Sequence, residues 1–313
     1  MRKLYYMLDL RRLRLLRELS VRGTIAAVAE ELSYTPSAVS QQLAQLEREA
    51  GVQLLERIGR GVRLTDAAQG LVRHTEAVLA RLEEAEAELA AAGGDVRGTV
   101  RVAAYQTAAR FLVAPVLRPL AAEHPHLRVE LVEMEAEEAL PLLRVGDVDV
   151  VVAEEYPEAP RARDPALERT DVAWDRLVLA LHPDHPAAAG GGPVRLSELA
   201  GEPWCSTREG TLFGAALLRV CRSLGGFEPE IRHRANDVRL LAQLAAEGHA
   251  VTLMPVLGQP EKMASLAVRP VADAELDRRI FAAARRGGAL RPSVATVISA
   301  LRERAVAIGL PPV

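Results

Sequence analysis

Leucines recur at every third position from Leu10 through Leu13, Leu16 and Leu19, with arginines between them, the spacing of one apolar stripe on an α-helix. Asp9 stands where such a helix needs its N-cap, and Gly23 breaks it. Thr24 then caps a short alanine-rich helix over 25–32. After the turn Ser33-Tyr34, Thr35-Pro36 supplies a cap with proline in the first helical position, opening a third helix that runs to about Glu49 and stops before Gly51. Two short helices joined by a tight turn behind a leading helix predict a helix-turn-helix. Runs at 54–57 and 62–64 flank Gly59-Arg60-Gly61, the pattern of a small β-hairpin wing.

A long helix follows over 65–92. Leu71, Val78 and Ala85 alternate with Thr75, Leu82 and Leu89 at heptad spacing, while Glu83, Glu84, Glu86 and Glu88 fill the other faces. The pattern suits either a solvated spacer or a dimerisation helix with Leu71, Val78, Leu82 and Leu89 in its seam, and we read it as the latter. Gly93-Gly94 ends it as a hinge. Beyond lie strands at 99–104 and 128–133, a helix between them ending before His124-Pro125, a helix at 137–144 and an apolar run at 148–153. That β-α-β-α-β order predicts an α/β sandwich with a largely parallel sheet. A strand at 177–181 and a Pro- and Gly-rich loop at 182–192 come next. Helices near 211–224 and 238–247 alternate with strands at 231–234 and 251–254, before a last strand near 279–284 and a closing helix over 293–308.

On the third helix, Val39, Leu43, Leu46 and Ala50 form the inward stripe. Ser37, Gln41, Ala44 and Arg48 point the opposite way, with Ser40 and Gln45 at the flanks and Thr35 and Pro36 at the leading end. Small residues and amides on an exposed helix can lie against base edges, and glutamine can pair in bidentate fashion with adenine. Arg57, Arg60 and Arg63 of the wing, with Arg11 and Arg12, are candidates to hold phosphates.

Charge strengthens this picture once it is divided. The 313 residues carry a net charge of −3, yet 1–64 hold eleven basic residues against seven acidic ones, about +4, leaving the remainder near −7. A basic end on an acidic body suits a polyanionic partner held at one end. The length predicts two or three domains. Lys3 and Lys262 are the only lysines, a bias that with the abundant alanine reports a GC-rich genome. Cys205 and Cys221 are too few for a disulfide framework or a zinc site and read as reduced cytoplasmic thiols. The apolar stretch at 4–8 is too short for a signal sequence, and Met7 is an alternative start. No apolar run approaches the roughly 20 residues that span a bilayer.

Residues 8–64 resemble the DNA-binding domain of LysR-type transcriptional regulators. The resemblance rests on Ala26-Ala27, the run Pro36-Ser37-Ala38-Val39-Ser40, Leu46-Glu47, the segment from Gly51 to Arg57 and Leu64-Thr65. Farther on, Gly98 to Val102, Leu140 to Val152, Leu177 to Ala187 and Glu247 to Pro255 are similar to the family pattern in the same order. Two places depart from it: Ala44 stands where the family often has arginine or lysine, and Met134 and Ala136 replace glycine and a small hydroxyl. The resemblance implies a mixed fold: a mainly α winged helix-turn-helix over 8–64, a linker helix over 65–92 that forms a homodimer, and an effector domain over 95–313. That domain is expected to be periplasmic-binding-protein-like, with lobe I at about 95–172 and 268–313, lobe II at about 173–267, and a ligand cleft between them. Double-stranded DNA with an interrupted palindrome, an unidentified small effector, a second copy or a homotetramer, and RNA polymerase are the implied partners. No cofactor, metal or membrane is implied.

In such a cleft the walls come from loops at strand ends. Tyr105, Gln106, Thr107 and Glu135 are the candidates on one side, and Ser206, Thr207, Arg208 and Thr252 on the other. Glu135 and Arg208 together would suit a zwitterion. The His182-Pro183-Asp184-His185-Pro186 segment reads as a loop. Glu154 and Glu155 point to opposite faces of a strand, which argues against an acid–base pair. A solute-binding protein would share the lobes but not 8–64, and an enzyme with an appended regulatory domain would alter its ligand. A cytoplasmic regulator without catalytic activity accounts for both halves.

Overall fold

The computed structural model describes residues 8–313 apart from 33, 60, 93–95, 158 and 264. The expected turn residue Ser33, the wing residue Arg60, the hinge glycines Gly93 and Gly94, the alternative start Met7 and the side chains of Glu83, Glu84 and Glu86 therefore lie outside the described residues. Contacts divide the chain into two compact units, one made of the described residues up to Leu89 with Arg286–Gly288 and one formed by Ala90–Arg285 with Ala289–Val313.

The first unit contains α1 (Leu10–Arg22), α2 (Ile25–Glu31), α3 (Pro36–Ala50), the hairpin β1 (Leu55–Ile58) and β2 (Gly61–Leu64), and most of α4 (Asp66–Ala92). Asp9 starts α1 by accepting from the backbone N–H groups of Arg11 and Arg12. Gly23 ends it at φ 74°, a left-handed conformation that costs glycine least. Leu16, Leu19, Val28, Val39, Leu43, Leu46 and Leu54 close the core with Ala68 and Val72 of α4. One arginine of α1 departs from the expected solvent face. Arg17 follows Leu13 by four residues and so turns inward, where its guanidinium meets the buried Glu18 carboxylate at 2.9 Å. Glu47 closes α3 against the wing: its Oε1 accepts the backbone N–H groups of Leu54 at 2.8 Å and Leu55 at 3.0 Å.

The second unit begins with β3 (Gly98–Ala104). Next come α5 (Gln106–Ala108), a π-helical turn over Ala109–Val113 and α6 (Ala114–Glu123), running on as one helix. β4 (Leu127–Glu133), α7 (Ala136–Val145) and β5 (Val150–Glu155) follow. The long β6 (Leu167–Leu181) leads to β7 (Pro203–Ser206), α8 (Leu212–Ser223), β8 (Glu230–Arg234), α9 (Val238–Ala246), β9 (Thr252–Pro255), β10 (Ala267–Arg269), β11 (Asp277–Arg285) and α10 (Pro292–Ala307). β3 pairs in parallel with β4 and β5, as the β-α-β-α-β order predicts. β11 adds antiparallel to β5 and to the first half of β6. The second half of β6 pairs antiparallel with β9 and β10, so this one strand serves two halves of the unit.

Two hydrophobic clusters cover opposite faces of the first half's sheet. Val100, Val102, Val150 and Val152 face one way, and Ala103, Val151 and Ala153 the other. Burial on both faces explains why β5 reads as an unbroken apolar run. The other half packs around Trp204, Leu179, Leu181, Leu196 and Leu217. The residue pattern finds only 177–181 of β6 and misses β7 and β10. The missed part of β6, LERTDVAWDR, is mostly polar and is held by its pairing with β11.

Leu43→Ala should lower the stability of the first unit by about 2–5 kcal/mol in urea denaturation, because it empties a fully enclosed site. Gln41→Ala, on the exposed side of the same helix, should stay within about 0.5 kcal/mol.

Candidate functional site

Helix α3 begins at Thr35, whose Oγ1 accepts from Ala38 N–H at 3.2 Å and lies 3.0 Å from the Ser37 hydroxyl. Burial of Val39, Leu43 and Leu46 fixes the helix's rotation and leaves Thr35, Pro36, Ser37, Ser40, Gln41 and Arg48 exposed. The expected polar residues are not equivalent. Gln45 is half-buried: its Oε1 takes two N–H groups of Arg48, at 3.0 and 2.6 Å, and its Nε2 donates to Glu49 at 3.0 Å. Arg12, read from sequence as a phosphate contact, donates to Gln42 and pairs with Glu49. The side chain of Gln41, by contrast, makes no hydrogen bond among the described residues. On the wing, Arg57 is exposed, and Arg63 pairs with Glu56 at 2.8 Å in an exposed setting that costs little to break.

On α4, Thr75 is buried and Leu71 packs against the helix-turn-helix core. Val78, Leu82 and Leu89 stand 48%, 43% and 76% exposed in the single chain. The heptad therefore divides, its first leucine facing inward within its own unit and the later apolar positions facing out.

In the second unit a pocket opens at the ends of β3, β4 and β5 and is closed from the other side by residues of α8, α9 and β9. Tyr105, Gln106, Thr107, Glu135 and Thr207 line it, joined by Glu154, Tyr156, Phe213 and Arg278. Ser206, Arg208 and Thr252 do not. Ser206 is buried on β7, and Thr252 spends its hydroxyl on the carbonyls of Cys205 and Leu253 at 2.8 and 3.1 Å. Arg208 is exposed and engages Asn236 through its backbone N–H. A carboxylate clamp at Arg208 is accordingly absent from this pocket.

The cation in the pocket is Arg278 of β11, which the residue pattern gave no reason to single out. It lies opposite Asp175 of β6 in the strand register. Its Nε donates to Asp175 Oδ2 at 2.9 Å, its Nη2 lies 2.7 Å from the same oxygen and donates to Thr107 Oγ1 at 3.1 Å, and the guanidinium sits 5.0 Å from the Tyr105 ring centroid. Asp175 is fully buried, and its other oxygen accepts Leu257 N–H at 2.9 Å. Two further ties cross the pocket. Gln106 donates to Asp237 Oδ1 at 2.8 Å and accepts Val238 N–H at 2.9 Å, so its amide holds the start of α9. Glu137 Oε1 accepts Leu212 N–H, at the start of α8, at 3.2 Å.

Carboxyls crowd the rest of the wall. Burial, and then the nearby charge of Glu154, push Glu135 from its ordinary 4.5 up to about 7; Glu137 and Glu133 add to the shift and Arg278 opposes it. Burial likewise pushes Glu154 up, against the pull of Arg278 and Arg161. Among the described residues no cluster of histidine, cysteine and acidic side chains could hold a metal ion, and no helix is long and apolar enough to cross a membrane.

A winged helix-turn-helix and a two-sided α/β pocket on one chain define a regulatory protein with a ligand-binding domain. The family profile described as "Bacterial regulatory helix-turn-helix protein, lysR family" matches residues 10–69, and that described as "LysR substrate binding domain" matches 93–306. The chain belongs to the LysR family, whose members are transcription regulators. It is 31% identical to a probable hydrogen peroxide-inducible genes activator of Mycobacterium avium, over 75% of this chain and 74% of that protein. A full-length OxyR variant from Pseudomonas aeruginosa superposes with a TM-score of 0.68 at 20% identity, covering 95% of each chain. Full-length CbnR, solved with its target DNA, gives 0.54 at 22% identity, covering 95% of this chain and 99% of that one. These two likenesses speak for the fold.

The raised Glu135 carboxyl has a definite consequence for stability. Between 4.5 and about 7 the unfolded chain has released this proton while the folded protein still holds it, so Glu135 subtracts stability as pH rises through that window. Glu135→Gln should therefore melt higher than the parent at about pH 8 and no higher at about pH 5. A gain that is the same at both values would show that Glu135 does not titrate in this window.

Proposed function

We propose that this protein is a cytoplasmic, sequence-specific transcription regulator that binds an interrupted palindrome in double-stranded DNA as a homodimer or homotetramer. Its DNA-bound assembly responds to a small molecule held in the pocket of the C-terminal domain. It works by binding, without catalysis, and RNA polymerase is a further partner. The proposed division is 8–64 for DNA binding, 65–92 for dimerisation and 95–313 for effector binding, with lobes at about 95–172 plus 268–313 and at about 173–267.

The observation that carries this reading is the exposed face of α3, where Ser37, Ser40 and the uncommitted Gln41 lie on a helix whose other side is locked in the core. Gln41 is then the principal reader of bases, while Gln45, held by Arg48 and Glu49, serves mainly to position them. Arg57 and Arg63 of the wing supply sequence-independent grip, with Arg48 beside them. Val78, Leu82 and Leu89 bury their exposed apolar surface against a second copy of α4.

Peroxide-inducible relatives raise a second way to sense a signal, oxidation of a thiol. Cys205 and Cys221 are both buried, and burial pushes their thiols up to about 11 and about 12. Peroxide reacts with exposed thiolate, which these two sites disfavour, so a bound metabolite is the better reading of the signal.

Arg57→Ala should weaken binding to specific and random DNA alike, whereas Gln41→Ala should erode discrimination by about 1–3 kcal/mol. If six to ten phosphates are contacted, affinity should fall roughly 10³- to 10⁵-fold between about 50 and 200 mM salt. Fluorescence anisotropy on both DNAs measures this, and equal losses for the two variants would sink the division of labour.

Leu82→Glu would place a charge in each copy of the seam, which is unfavourable unless the chains separate. Light scattering should show loss of the dimer made by α4, together with much weaker palindrome binding. A variant that stays assembled and binds normally would put the interface elsewhere.

A further inference from the structure

We propose that the ligand of the C-terminal pocket is a small organic cation, a protonated amine on an apolar body, held by Glu135 and Glu154 beside Tyr105 and Tyr156. The inference rests on the pocket being the effector site and adds the charge and shape of what fills it.

The charged groups on the wall are unequal in number and in availability. Arg278 is the cationic residue among those lining the pocket, and its Nε and Nη2 are already given to Asp175 and Thr107. A carboxylate that took Nε and Nη2 would displace the fully buried Asp175, leaving that charge without its partner. Glu135 and Glu154 face the same space. Glu154 is 4% exposed, its Oε2 accepts no hydrogen bond, and its Oε1 lies 3.8 Å from Arg161, whose Nη2 is shared with Glu137 at 3.0 Å. The Tyr105 hydroxyl, also buried, has no partner either. Buried polar atoms left without partners are costly, and three donors on one ammonium group would satisfy an acid oxygen and a phenol at once.

The same cation relieves the mutual repulsion of the two glutamates, while an anionic ligand would bring a third negative charge to them. The opposite wall has different chemistry. Phe213, Leu241, Leu253 and Met254, from α8, α9 and β9, offer apolar surface for a ring or short chain. Tyr156 packs edge-on against Phe213 with centroids 6.0 Å apart, which carries an aromatic surface from the acidic end to the apolar one.

The probes are benzylamine and phenethylamine, each compared with the alcohol and the carboxylate of the same skeleton, titrated calorimetrically into the full-length protein. The amines should bind at least ~10-fold tighter than the matched alcohols, the worth of a charge-assisted hydrogen bond over a neutral one, and the carboxylates weakest of all. Glu154→Gln, close in shape, should cost the amines roughly ten- to a hundredfold and leave the alcohols nearly unchanged. Glu135→Gln should act in the same direction, which keeps the test alive if one variant folds poorly. Arg208→Ala, outside the pocket, should change nothing. Tighter binding of the carboxylates, equal binding of amines and alcohols, or no binding by either amine overturns the charge class. Specific DNA binding by the untreated protein, measured in parallel, reports separately on the regulator reading, which fails only if that binding is absent.

Discussion

A buried ion pair holds the ligand-binding half of this molecule in register. Arg278 and Asp175 face each other across β11 and β6, the two strands that continue from one half of the second unit towards the other. Each end of the pair reaches farther. Arg278 extends to Thr107 at the start of the first half's leading helix, and Asp175 takes the backbone N–H of Leu257 just after β9. Removing two charges from water is expensive and is recovered only when geometry and hydrogen bonding are nearly complete. Here each oxygen of Asp175 has a donor, and the guanidinium has a carboxylate, a hydroxyl and an aromatic ring. The pair therefore acts as a fixed point about which the pocket walls are arranged.

Around that fixed point the two walls are joined by bonds that can be exchanged. Gln106 caps α9 and Glu137 caps α8 from across the pocket, each through a side chain satisfying backbone N–H groups that a helix start leaves open. A ligand that competes for these side chains, or that draws the walls closer, shifts the balance between arrangements by its difference in affinity for them. Two half-buried to buried glutamates in the same space give that difference an electrostatic origin.

In the helix-turn-helix unit the organising contact is a capped backbone. Glu47, near the end of α3, accepts the N–H groups of Leu54 and Leu55 where the wing begins, so the helix that carries Gln41 and the hairpin that carries Arg57 are set by one carboxylate. The surrounding network of Arg12, Gln42, Gln45, Arg48 and Glu49 fixes some of the polar side chains that a helical wheel would count as free. Gln41 is distinguished from Gln45 by that network and not by its residue type.

Local pattern alone carries the helix-turn-helix, the wing, the long α4, and the β-α-β-α-β order that opens the second unit. Each depends on caps, turn residues and apolar spacing within a few positions, as at Asp9, Thr35-Pro36 and Gly51. The polar half of β6 escaped because LERTDVAWDR has no apolar alternation and owes its strand to β11, about a hundred residues away. In the candidate pocket, Tyr105, Gln106, Thr107 and Glu135 were legible as residues at strand ends, since an α/β sheet places its ligand there. Arg278 was not, because one arginine inside a strand looks like any other until Asp175 is brought opposite it. Arg208 failed for the converse reason: its position after a strand was right, but only the packing decides which way a loop faces. Sequence thus determined the elements that local caps, turns and apolar spacing specify, and left β7, β10 and the polar half of β6 to their pairing. The tertiary structure decided which charges meet, because burial and pairing between distant strands set the state of a carboxylate or a guanidinium, and neither is a property of its neighbours in the chain.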